Sequence, residues 1–116
     1  MCLELKKFNL LKMSHYTSAI KQVESEFDDI YRITATNGLV LDILESEKPK
    51  IGSNILYYIN PDKDYGPEYT IMNGIIYMIN NKSILVSFGG LLGNIPLDES
   101  TKKTIKENVL LTYKLE

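Results

Sequence analysis

Residues 31–44 read Tyr31-Arg32-Ile33-Thr34-Ala35-Thr36-Asn37-Gly38-Leu39-Val40-Leu41-Asp42-Ile43-Leu44. The β-branched side chains before the turn suit a pleated, half-buried strand, and Asn-Gly between two apolar runs is the strongest short-range hairpin signal, because both residues tolerate the positive φ of a type I′ turn. The stretch predicts paired strands over 28–36 and 39–45. From Phe27 onward the hydrophobic period stays close to two rather than 3.6, and its breaks fall at turn residues, the pattern of a mostly antiparallel all-β domain.

On the C-terminal side, Pro49 and the charges of 45–52 predict a surface loop, followed by a strand over Asn54-Ile55-Leu56-Tyr57-Tyr58-Ile59 that Asn60-Pro61 ends. After a polar loop through Glu68 comes the longest strand candidate, Tyr69 to Ile79. Tyr69, Ile71, Asn73, Ile75, Tyr77 and Ile79 fall on one face, and Thr70, Met72, Gly74, Ile76 and Met78 on the other. Both faces are largely apolar, which predicts a barrel or sandwich with its outer face covered, and Gly74 permits the sharp coil a small barrel needs. Asn80-Asn81 predicts a hairpin turn into Lys82 to Phe88, where Ile84, Val86 and Phe88 alternate with Ser83 and Ser87. Val109, Leu111, Tyr113 and Leu115 mark a last strand. Residues 98–108 are polar apart from Ile105 and fit either a loop or one short helix capped by Asp98 or Ser100.

On the N-terminal side, Tyr16 to Val23 fits a first strand. Residues 1–12 fit neither period and are set apart as an N-terminal extension, with Met13 as a candidate start, leaving 13–116 as a single barrel domain. The 116 residues allow one domain, and 44% hydrophobic with 24% charged residues is the composition of a folded globule. The longest apolar run, Ile75 to Ile79, is too short to cross a bilayer, and Glu4, Lys6, Lys7 and Lys12 stand where a signal peptide needs an apolar core. A cytoplasmic protein with no membrane contact is expected. With 13 basic and 15 acidic residues the formal charge is -2, which disfavours tight electrostatic binding to DNA. One cysteine, Cys2, and one histidine, His15, supply neither an internal disulfide nor the four ligands of a structural zinc site.

The candidate chemistry is correspondingly thin. A nucleophile needs a base held by a third group, and His15, the one imidazole, has polar flanks without a strained elbow, so it reads as an exposed side chain. Asn60-Pro61-Asp62-Lys63-Asp64-Tyr65-Gly66 superficially fits a calcium loop, but Tyr65 stands where the glycine belongs and Ile71 where the bidentate glutamate belongs, so no metal is assigned. Gly89-Gly90-Leu91-Leu92-Gly93 follows a strand without the Lys-Ser or Lys-Thr of a phosphate loop; it reads as a kink or bulge that presents Leu91 and Leu92 to a core or a partner. The eight tyrosines rank as strand filler first, protein interface second and base-stacking platform third.

Glu68-Tyr69-Thr70-Ile71-Met72-Asn73-Gly74-Ile75-Ile76-Tyr77-Met78-Ile79, followed after the turn by Leu85-Val86-Ser87-Phe88-Gly89-Gly90-Leu91-Leu92, resembles the strand signatures of one family. Over Phe27 to Leu115 the chain is similar to the eighth subunit shared by nuclear RNA polymerases I, II and III and to the archaeal counterpart of that subunit. Phe27-Asp28 before Tyr31-Arg32-Ile33, the run Leu39 to Leu44 and the closing Val109 to Lys114 add support. The acidic insertion of eukaryotic members is reduced here to Asn60 through Pro67, which favours the archaeal type. The resemblance implies an antiparallel barrel related to the OB-fold, acting without cofactor or catalytic residues of its own on the outside of the largest polymerase subunit. Partner contact is then expected at Phe88, Gly89, Gly90, Leu91 and Leu92, with nucleic-acid contact weak or indirect. The alternative is a free OB-type module for single-stranded nucleic acid, which calls for a basic aromatic groove.

Overall fold

The structure is a computed structural model that describes residues 14–99, 102 and 105–116. The expected 1–12 extension and the candidate start at Met13 lie outside the described residues. Among the described residues the elements are β1 (Ser14–Phe27), β2 (Ile30–Ala35), β3 (Val40–Leu44), β4 (Asn54–Ile59), β5 (Thr70–Ile79), β6 (Ser83–Phe88), β7 (Leu91–Pro96) and β8 (Asn108–Leu115). All pairings are antiparallel, in the order β1-β2-β3-β7-β6-β5-β8-β4, and β4 pairs back on β1, so the sheet closes as a barrel. Within that circuit β4, β1, β2 and β3 stand side by side in the order of a Greek key.

Alternation explains the interior. Ile33 and Leu41 face each other across β2 and β3, Tyr57 and Tyr113 across β4 and β8, and Ile84 and Ile95 across β6 and β7; all are essentially inaccessible to water. Each such side chain contributes roughly 1.5–3 kcal/mol by leaving water. β1 serves two partners. Ser14 to Ala19 pair with β4, Ile20 to Phe27 pair with β2, and register shifts between Ile20 and Gln22 and between Ser25 and Phe27 let the strand bend around the barrel.

Several boundaries differ from the sequence expectations for local reasons. The strand expected from residue 28 begins at Ile30, because Asp29, at φ 60°, closes a two-residue turn after Phe27. The Asn37-Gly38 turn is not type I′: only Gly38 has positive φ, at 101°, and Ala35 N–H donates to Leu39 O across a three-residue loop, the turn-plus-glycine-bulge hairpin. The next hairpin turns at Asn81-Lys82 rather than Asn80-Asn81, because Asn80 Oδ1 accepts from the backbone N–H groups of Lys82 and Ser83 at 3.0 and 2.8 Å. Gly89 and Gly90, at φ 64° and 104°, form a hairpin turn rather than a kink, and the strand β7 follows. Segment 98–108 begins with a helical turn, in which Lys102 N–H donates to Asp98 O at 3.0 Å; the alternative cap, Ser100, lies outside the described residues. Among the described residues no helix is long and apolar enough to cross a membrane.

Candidate partner-docking cleft

The long apolar strand is two-sided only in part. Met72 and Gly74 of β5 point inward, whereas Ile71 and Ile75 are exposed at 57% and 59%, and a register shift between Ile76 and Met78 leaves Tyr77, Met78 and Ile79 all facing water. Among the described residues nothing covers this outer face.

Where β5 begins, the barrel mouth opens into an apolar cleft of about 280 Å³. Thr70 to Asn73 form one wall, Leu44 at the end of β3 and Leu91 at the start of β7 form the other, and Phe88 and Tyr113 form the floor. Its volume falls just below the ~300–1,000 Å³ of small-molecule sites, which suits one or two partner side chains better than a cofactor.

The floor is fixed by packing. Phe88, 7% exposed, inserts its ring between Gly74 on β5 and Gly93 on β7, where a Cβ would come within 2.6 and 2.9 Å of ring carbons. Gly74 therefore makes room for Phe88, a function more specific than general coiling. Tyr113, 1% exposed, donates its hydroxyl to Glu45 Oε2 at 2.7 Å. Burial, and then that bond to an acceptor, push its ionisation well above the ordinary tyrosine value.

The cleft exists because one seam of the barrel is short. β3 and β7 pair only at Val40 with Asn94 and Leu41 with Gly93. Beyond them the ladder is replaced by a side chain: Asp42 Oδ2 accepts the Leu92 N–H at 2.9 Å, while Arg32 Nε and Nη2 donate to Asp42 at 2.7 and 3.1 Å. Asp42 is buried, and its bond to Arg32 is the main reason that the guanidinium is held still more firmly in its charged form. Leu44 and Leu92 remain exposed at 63% and 41% on either side of the seam.

Of the five residues expected to meet a partner, the structure therefore brings Phe88 and Leu91 into the cleft, leaves Leu92 exposed next to Leu91 but outside the cleft lining, and sets Gly89 and Gly90 in the adjoining turn. Leu44, Thr70 to Asn73, Tyr113 and Asp42 carry no site signal in the sequence beyond a lone acid, Asp42, in an apolar strand that faces the lone arginine. His15 is exposed and stacks on Tyr58 at 5.4 Å. Tyr58 in turn stacks on Tyr65 at 4.0 Å, so the loop after β4 folds back over the outside of the barrel. Lys63 and Lys114 sit 5.0 and 5.3 Å from the Tyr65 and Tyr69 rings. Among the described residues no group of three or more His, Cys, Asp or Glu side chains is placed to hold a metal ion.

Fold and site together define a small all-β barrel bearing an apolar cleft at one mouth. No protein-family model matches the chain, and a search of curated proteins finds no match to it.

Proposed function

We propose that this protein is a non-catalytic peripheral subunit of a multisubunit DNA-directed RNA polymerase of the archaeal type, docking on the largest subunit and supporting assembly and stability. The observation that carries the reading is a convergence. The two sequence blocks behind the resemblance, 68–79 and 85–92, differ in composition and turn chemistry, yet Thr70 to Asn73 of the first and Phe88 and Leu91 of the second line the same cleft. Topology supports it as well. Taking the β5-β6-β7 meander out of the circuit leaves the order β1-β2-β3-β8-β4, which has the strand count and Greek-key element expected of an OB-type barrel. The test is affinity capture of the tagged full chain from its own cells, with co-eluting chains identified by mass spectrometry. Stoichiometric recovery of the two largest polymerase subunits is expected, and recovery of the chain alone overturns the reading.

A second reading, a free single-stranded nucleic-acid module, draws on the Tyr58 and Tyr65 rings, which are stacked, and on Tyr69, which meets Tyr58 edge-on. It is weakened by the lysines already seated on two of those rings and by Asp62 and Asp64 beside them. A steep fall of oligonucleotide affinity with salt would favour it.

A further inference from the structure

The mouth that carries the cleft is also acidic. The β1–β2 hairpin that flanks it exposes Glu24, Glu26, Asp28 and Asp29, and Glu47 is exposed in the loop after β3. This hairpin and the cleft are physically joined: Ile30 pairs with Leu44, Glu45 N–H donates to Asp29 O at 2.8 Å, and Glu45 accepts from Tyr113 on the cleft floor. The positive charges in the same segments are fewer, Lys21, Arg32, Lys48 and Lys50, and Arg32 is held by Asp42 at 2.7 Å and Glu26 at 3.4 Å. Amid these carboxylates Phe27 stands 75% exposed, with Ile30 paired between it and the exposed Leu44.

An apolar notch just large enough for one or two side chains, with a carboxylate-bearing hairpin paired to its Leu44 wall, selects one kind of occupant. Burying a partner's apolar anchor there removes water from the rim, so a neutral or acidic flank would leave the carboxylates facing like charge or nothing, whereas Lys or Arg beside the anchor meets them. We infer that the cleft takes a protein segment in which a large apolar side chain is flanked by lysine or arginine, the apolar group entering between Leu44 and Leu91 and the basic flanks lying on the β1–β2 hairpin. This rests on the docking role proposed above and names the chemistry of the docked segment.

The experiment uses the tagged full chain carrying the photo-cross-linker p-benzoylphenylalanine in place of Leu44, of Leu92 or, at the opposite barrel end, of the exposed Tyr77, expressed in its own cells, irradiated and mapped by peptide mass spectrometry. All three positions are exposed, and a thermal melt checks that each variant folds. The expected result is a cross-link from Leu44 and Leu92 to a segment with an apolar residue flanked by Lys or Arg, and about tenfold weaker capture, with a shallower salt dependence, in E24K/E47K. Cross-links from Leu44 to a neutral or acidic segment, to nucleic acid or to a second copy of the chain overturn the inference, as do cross-links from Tyr77 alone or from no position. The polymerase reading is judged separately, by which proteins co-elute. Polymerase recovered with an acidic segment at Leu44 defeats only the inference, and a basic-apolar segment from another protein defeats only the polymerase reading.

Discussion

At the scale of single residues, the glycines beside Phe88 show how a side chain can be demanded by what is missing from its neighbours. A methyl group on Gly74 would sit 2.6 Å from both Phe88 Cδ1 and Val86 Cγ1, so G74A overpacks the barrel. The expected cost is about 1–3 kcal/mol in chemical denaturation. Shortening the opposing ring in G74A/F88L is expected to recover part of it, a non-additivity that identifies ring contact as the cause. Tyr57 offers a second test. Its burial, only partly offset by the hydrogen bond that Asn37 Nδ2 donates at 2.9 Å, raises its ionisation to about 12. Because the folded value lies above the unfolded one, near 10, the stabilisation is complete below pH 10 and is lost as pH climbs from 10 through about 12. A melting series over that window is expected to show a loss of roughly 3 kcal/mol more in the wild type than in Y57F, with Tyr113 adding a loss common to both.

At the scale of elements, the β3–β7 seam depends on one carboxylate. Removing it in D42A strands the Leu92 N–H and leaves Arg32 with only its longer contact to Glu26, with an expected loss of about 1–3 kcal/mol. Faster amide exchange at Leu92 than at residues of the β5–β8 ladder is the accompanying sign. Asn60 makes a comparable clasp, since its N–H donates to Leu110 O at 2.7 Å while its Oδ1 accepts the Leu110 N–H at 2.9 Å, from a residue held at φ 51°. N60A loses the side-chain bond and places an alanine in the left-handed region, and a drop of about 1–2 kcal/mol is expected from urea unfolding. The seam also shows why the site is less legible than the strands. Period-two patterning exposes β2, β3, β4, β6 and β8 because their inner faces are uniformly apolar. A two-residue turn at Asn37-Gly38, however, pairs Ile33 with Asp42, and only the three-residue loop actually formed brings Arg32 opposite Asp42. One residue of register thus hides the clamp. β7 is masked in the sequence because Gly89, Gly90 and Gly93 crowd its start, and the covering role of the loop around Tyr65 rests on ring stacking on Tyr58, which hydrophobic periodicity does not encode.

At the scale of the whole molecule, closure joins segments that are far apart along the chain: the start of β1 pairs with β4, β3 with β7, and β4 with β8. Loop-closure entropy must be met before those ladders stabilise anything, so refolding is expected in milliseconds to seconds, with a single transition by tyrosine fluorescence and circular dichroism. The two-pair seam then governs how the folded barrel fails. Every other seam is held by four or more paired residues, so thermal opening begins between β3 and β7. Opening there converts an edgeless cylinder into a curved sheet with two bare margins, one carrying Val40, Leu41 and Ile43 and the other Leu91, Leu92 and Ile95. Two molecules opened in this way can exchange those margins. The aggregation rate of the free protein is therefore expected to follow the lifetime of this single join rather than the depth of its folding free energy, and a segment docked across the join, as proposed, would act as a chaperone for the chain that binds it.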